Sequence, residues 1–208
     1  MKTLDENIHK QFFPMKLPSG AVARSMDQDA AQEYIKAINH LIFPADFKQT
    51  VGLFEAPMAR HERLDRLRKQ HARSSPEWLV FFNAADEPIG WFLGYMEDEE
   101  TFFIDTIGLI PAFRGQGIYS AFLRQFIVYL RMIGYERLTT SHGPNVRAAL
   151  IADLKVGFDI VGIELHEGHG VWVKTAYHLH EDRRQAFEHV FSTPREPTNE
   201  SDPRASAG

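Results

Sequence analysis

Residues 104–126 read IDTIGLIPAFRGQGIYSAFLRQF, and the fold turns on how this stretch divides. The run up to Ile110 is the end of a strand over 101–110. Pro111 stops it, because proline has no N–H to give to a ladder. Gly115 and Gly117 follow in a short loop, and a helix opens at about Ile118. Ile118, Phe122, Phe126, Tyr129 or Leu130, and Ile133 recur on one face of that helix, and Gly134 ends it in C-cap fashion. The two glycines carry no Cβ to hold a ligand off the backbone. Successive loop N–H groups, with those of the first helical turn, converge on one spot. Such a spot attracts phosphate, and Arg114 adds a fixed charge. The reading is a pyrophosphate site. It is not a Walker loop, which ends Gly-Lys-Ser/Thr, and it lacks the third glycine of the dinucleotide fingerprint.

Outward from this core the chain alternates strands and helices. Residues 78–83 and 89–96 are two strands joined by a turn at Asp86, Glu87 and Pro88, which makes a hairpin. An acidic turn over 97–100 leads into the strand at 101. Further back, 21–26 reads as a short strand. Asp27 or Asp29 caps the next helix. In it, Ala31, Tyr34, Ile35, Ile38, Leu41 and Ile42 form one apolar stripe, and Pro44 stops it. Residues 60–73, RHERLDRLRKQHAR, read as a second helix with six Lys or Arg, two Asp or Glu and little apolar face. Downstream come a strand at 137–141, a break at Gly143 and Pro144, and a helix over 145–156 with Leu150, Ile151 and Leu154 inward. A closing hairpin over 158–165 and 170–179 turns around Gly168, and a last helix spans 181–191. The expected fold class is α/β (α+β): a mixed, mainly antiparallel central sheet of about 6–7 strands with one parallel crossover, flanked by helices. Residues 1–191 read as a single domain. The segment 192–208, STPREPTNESDPRASAG, has almost no apolar residue and is expected to be disordered.

Composition narrows the function. The chain has 208 residues, 44% hydrophobic and 25% charged, which suits one globular domain with a sizeable core. With 23 Lys+Arg against 28 Asp+Glu the net charge is −5, so no bulk attraction to nucleic acid or anionic lipid is expected. Cysteine is absent, which excludes disulfides, thiolate metal sites and a covalent thiol intermediate. The opening MKTLDENIHKQFF holds no signal-peptide core, and no apolar run reaches the ~20 residues of a membrane helix. A cytoplasmic protein is the expectation.

Arg114-Gly115-Gln116-Gly117-Ile118-Tyr119 resembles the Arg/Gln-x-x-Gly-x-Gly/Ala loop of the GNAT superfamily of acyl-CoA N-acyltransferases. Downstream, Asn145, Ala148 or Ala149, and Lys155-Val156-Gly157-Phe158 resemble that family's Asn-x-x-Ala…Gly-Phe helix. The resemblance is specific over 101–158 and rests on element order alone over about 20–180. It implies a sheet splayed between the fourth strand (101–110) and the fifth (137–141), with acetyl-CoA as cosubstrate in the gap. Backbone groups near Ile107 and Leu109 would pair with the pantetheine arm as a strand would. The N–H groups of 115–119, those of Gly115, Gln116, Gly117, Ile118 and Tyr119, would hold the pyrophosphate, with Arg114 beside them. Asn145 would touch the arm from the other side. The sequence departs from the family pattern twice. Tyr119 replaces the usual Gly or Ala, and the helix tyrosine that would protonate the thiolate is missing, with Ala152 and Asp153 in that region.

The implied reaction is acetyl transfer from acetyl-CoA to a primary amine, by direct attack in a ternary complex. An amine of pKa near 10.4 is only about one part in a thousand free base at neutral pH, so a positioned base helps. Candidate catalytic residues are Asp105, Glu100, His142 and Tyr119. A backbone N–H near Leu109 or Ile110 would polarise the thioester carbonyl. Each candidate also has a plainer reading. Asp105 suits a solvent-facing strand position, Glu100 an acidic turn, His142 a strand end, Tyr119 helix packing and Asn145 a helix N-cap. The basic helix at 60–73 reads as a solvated face or the mouth for an acidic acceptor. The pairs His166/His169 and His178/His180 lack an HExxH frame or a third ligand, so no metal is expected. The acceptor is a small-molecule or peptide amine, and a homodimer stays open because many relatives dimerise. An acyl-CoA-binding sensor without turnover, and a nucleotide-binding domain that shares only the loop, are the alternatives.

Overall fold

The computed structural model describes residues 2–43, 76–166 and 170–191. In chain order the elements are α1 (Lys2–Phe12), β1 (Met15–Lys16), β2 (Val22–Met26), α2 (Gln28–Ile42), β3 (Glu77–Phe82), β4 (Pro88–Met96), β5 (Thr101–Leu109), α3 (Ile118–Ile133), β6 (Arg137–His142), α4 (Arg147–Val156), β7 (Asp159–His166), β8 (Gly170–His178) and α5 (Glu181–Phe191). The strands form one sheet of eight in the order β1-β2-β3-β4-β5-β6-β8-β7. All neighbours are antiparallel except β5 and β6. That pair is parallel because α3 carries the chain back along the sheet before β6 begins. The sheet has one strand more than the expected 6–7, the two-residue β1. Helix α1 was not anticipated either, although Leu4, Ile8 and Phe12 recur every four residues. The basic helix at 60–73, the hairpin tip at Gly168 and the segment from Ser192 lie outside the described residues. None of the described helices is long and apolar enough to cross a membrane.

Each face of the sheet has its own core. On one, Phe122, Leu123, Phe126 and Leu130 of α3 pack against Leu79, Phe81, Phe92, Phe102 and Ile104, with Ile8 of α1 alongside. On the other, Ala31, Ile38 and Ile42 of α2 meet Val80, Phe82 and Trp91. Helix α2 starts where Asp27 accepts the Ala30 N–H at 2.9 Å, so Asp27 rather than Asp29 is its cap. Tyr34 and Leu41, expected in its buried stripe, face solvent.

The sheet parts in the middle. Pairing of β5 with β6 stops at Ile104↔Thr140, although β5 runs on to Leu109 and β6 to His142. The cause lies at Asp105. Across from it on β4, Leu93 faces Thr106 and Gly94 faces Ile104, so Asp105 is the extra residue of a bulge. A bulge bends and twists its strand. The second half of β5 stays with β4, while β6 stays with β8 out to His142↔Val173. The expected splay between 101–110 and 137–141 is therefore present.

Helix α4 departs from expectation. Ile151 and Leu154, expected inward, are 50% and 43% exposed, and the residue the helix buries completely is Asp153. A hydrophobic count of 145–156 misses this, because the buried acid is held by hydrogen bonds rather than apolar contact.

Candidate functional site

The loop after β5 forms an open cradle. Pro111–Phe113 make one 3-10 turn, then Gly115 and Gly117 take φ values of +74° and +77°. That left-handed backbone costs a residue with a Cβ roughly 1–2 kcal/mol, which is why glycine stands at both positions. Among the described residues, a Cβ placed on either would meet nothing within 4 Å. Gly117 is also the N-cap of α3, and no side chain caps that helix. Its first N–H groups, at Ile118, Tyr119 and Ser120, therefore have no partner within the helix. The Ile118 side chain is buried in the core, so its contribution to the cradle is its backbone. Gln116 donates to the Ala112 carbonyl at 2.9 Å and braces the loop. The phenol of Tyr119 does not cover the cradle. It turns toward α4 and donates to Asp153 Oδ1 at 2.6 Å.

Arg114 begins the loop, but its guanidinium donates to the carbonyls of Leu109 at 2.8 Å and Ile42 at 3.1 Å. It ties the end of α2 to the end of β5, and these two N–H groups are engaged there rather than at the cradle.

The edge of β5 toward the gap is set by its pairing with β4. Ile110 N–H donates to the Ile89 carbonyl at 2.9 Å. Antiparallel pairs alternate between bonded and unbonded. Gly90↔Leu109 and Phe92↔Ile107 are thus unbonded pairs, so Ile107 turns its N–H and C=O and Leu109 its N–H toward the gap, the Leu109 carbonyl being taken by Arg114. The N–H of Ile110 is already used, which leaves Leu109 as the donor of the two considered for the thioester carbonyl.

The four catalytic candidates separate. Asp105 is exposed at the bulge, where the strands part, and accepts the Thr106 hydroxyl at 2.9 Å. Burial, then the charges of Asp105 and Glu97, push the nearby Tyr95 hydroxyl up to about 12. Glu97 itself accepts from Thr139 at 2.7 Å and from Lys174 at 2.9 Å. Glu100 stands at the opposite end of β5, nine strand residues from the cradle end and paired with Arg183 at 2.9 Å. The fold does not bring it to the gap. His142 ends β6, with its side chain 10% exposed, and its Nε2 lies 2.6 Å from Asp153 Oδ2. Asn145 lies exposed in the turn before α4, but the N-cap position belongs to Val146, so the expected capping role is not its own.

Asp153 is the residue that sequence reasoning placed only as an occupant of the tyrosine's region. It is wholly buried between three elements, accepting from Tyr119 of α3 and His142 of β6, with the Thr175 hydroxyl of β8 at 3.5 Å. Burial first, then the carboxylate's charge and hydrogen bond, raise the Tyr119 hydroxyl well above its ordinary value. The available signal was an acid inside the apolar run Leu150-Ile151-Ala152-Asp153-Leu154. Among the described residues no three His, Asp or Glu side chains converge as a metal site would require.

The model of the acetyltransferase (GNAT) family matches residues 40–158, more than half the chain. Comparison with the curated proteins finds no match. Solved structures that resemble the fold include an IAA acetyltransferase from Bacillus cereus, 16% identical with a TM-score of 0.55 over 76% of this chain and 99% of that one. The ribosomal L7/L12 alpha-N-protein acetyltransferase in complex with coenzyme A is 14% identical, TM-score 0.55, over 76% and 93%. The spermidine/spermine N-acetyltransferase from Vibrio cholerae is 11% identical, TM-score 0.53, over 80% and 96%. At such identities the likeness is one of fold.

Proposed function

Because the chain belongs to the acetyltransferase (GNAT) family, we propose that it transfers an acetyl group from acetyl-CoA to a primary amine by direct attack within a ternary complex. One observation carries this reading. The sheet parts beyond Ile104↔Thr140, and the outward-turned backbone of Ile107 and Leu109 leads from that gap to the open Gly115–Gly117 cradle. A diphosphate fits the cradle, whose uncapped N–H groups need an acceptor. An extended amide-bearing arm fits the β5 edge, which offers donors and acceptors at strand spacing. Asn145, exposed in the turn that follows β6, is proposed to touch the arm from the other side. With the thioester so placed, the Leu109 N–H polarises its carbonyl.

Asp105 is the base in this reading. It stands exposed at the parting point, and its charge favours a cationic acceptor there. Glu100 is set aside because it lies at the far end of the strand. Some proteins of this fold are named for protein N-termini and others for polyamines. Both are primary amines, and the acceptor proposed here is of that class.

The test joins binding to turnover. Calorimetry should give far tighter binding of CoA than of ATP. Acetyl-CoA with a panel of amines and N-terminal peptides should release free thiol. Preference for ATP would defeat the reading. Binding of acetyl-CoA with no thiol release on any acceptor would favour a sensor on the same fold.

A further inference from the structure

We propose that His142 protonates the thiolate that leaves when the thioester is cleaved, and that Asp153 is its positioning residue. The proposal rests on the acetyl-transfer reading above and adds the group that serves the leaving side of that reaction. As the amine attacks, a C–N bond forms and the C–S bond breaks. Sulfur takes the electron pair, and nitrogen sheds one proton to Asp105 or water. The sulfur must gain a proton to leave as a thiol. A thiol of ordinary pKa near 8.5 is well matched to an imidazolium donor. His142 gives up the proton on Nδ1 and regains one from solvent, so protons balance over the cycle.

Three observations support this assignment. His142 is the last residue of β6, two beyond Thr140, where pairing with β5 ends, so it stands at the open part of the gap. Its Nε2 donates to Asp153 Oδ2 at 2.6 Å, since an ionised carboxylate only accepts, and this leaves Nδ1 for a reactant. Asp153 in turn accepts from Tyr119 of the first turn of α3, the helix whose N-terminus opens on the cradle. A carboxylate that holds an imidazole by one nitrogen fixes its orientation. A mere brace between α3, α4 and β6 would need no charge. A fully buried carboxylate is costly unless its hydrogen bonds serve it.

Among the described residues the groups around His142 are few. Helix α4 contributes Asp153, α3 contributes Tyr119, and β8 contributes the uncharged Thr175. Lys174 pairs across from Ser141, so it lies on the opposite face, on Glu97. Asp105 is the charged group on the β5 side of the gap.

The experiment uses the full chain with acetyl-CoA and the best amine of the panel. His142→Ala and Asp153→Asn should bind CoA within about twofold of wild type, yet release thiol about a hundredfold more slowly, the usual scale for a lost proton donor. His142→Gln, which can still hydrogen-bond Asp153 but has no acidic proton to give, should be slowed as much as His142→Ala. Added imidazole should restore part of the rate to His142→Ala. Variants that bind CoA and keep the wild-type rate overturn the proposal and leave acetyl transfer standing. If either of the first two fails to fold, His142→Gln decides: a wild-type rate in that variant overturns the proposal. A wild-type chain that binds CoA but never releases thiol overturns both readings.

Discussion

Gly117 serves two demands at once: its φ of +77° and the empty space where a Cβ would stand. Gly117→Val should therefore weaken CoA binding more than tenfold in calorimetry. It should also lower stability by about 1–2 kcal/mol in urea unfolding, the cost of a left-handed residue with a Cβ. Unchanged affinity in a folded variant would remove the cradle from the site. Asp105→Asn makes a different demand. It should leave CoA affinity intact and cut turnover by roughly a hundredfold near neutral pH. The deficit should shrink as pH approaches the acceptor's own pKa near 10.4, where the amine sheds its proton unaided. A rate loss equal at every pH would argue that Asp105 shapes the bulge rather than takes a proton. At this scale the glycines were legible, because few roles need two of them before a helix. Asp153 was not, because its meaning comes from Tyr119 and His142, 34 and 11 residues away.

Helix α3 holds the sheet and the cradle together. Phe126 is fully buried and its ring meets those of Phe92, Phe102, Phe122 and Tyr129. Phe126→Ala should cost about 3–5 kcal/mol in urea unfolding. A loss under 1 kcal/mol would mean that the helix does not depend on that cluster. The heptad-like spacing of Ile118, Phe122, Phe126 and Tyr129 announced this element from sequence. Helix α4 shows the opposite case. Its apolar residues suggested an inward face, yet Ile151 and Leu154 face solvent and a carboxylate is buried. Amphipathic spacing tells which residues share a face. It does not tell which face finds a polar partner.

Over the whole molecule, titration sets the pH range of stability. Burial holds the Tyr119 hydroxyl well above its ordinary value and, with the Asp105 and Glu97 charges, Tyr95 at about 12. Both keep their protons in the fold above pH ~10, where the unfolded chain releases them. Their contribution is complete below that pH and is lost as pH rises past it. Burial holds His178 below its usual value, so its contribution is complete above pH ~6.5 and is lost as pH falls below it. The urea midpoint should thus decline at both ends. Tyr95→Phe should soften the alkaline decline, and an identical decline in that variant would show that the burial of Tyr95 does not govern it. The sequence by itself determined the strand–loop–helix around Gly115 and Gly117, the antiparallel run before it and the parallel crossover after it. Those follow from periodicity, glycine and proline, which act within a few residues of chain. Only the tertiary structure decided that Asp105 is a bulge, that Arg114 turns away from the cradle, that Glu100 lies far from the gap, and that Tyr119, Asp153 and His142 meet. Each of these depends on a register or contact between segments distant in the chain, which local spacing does not encode.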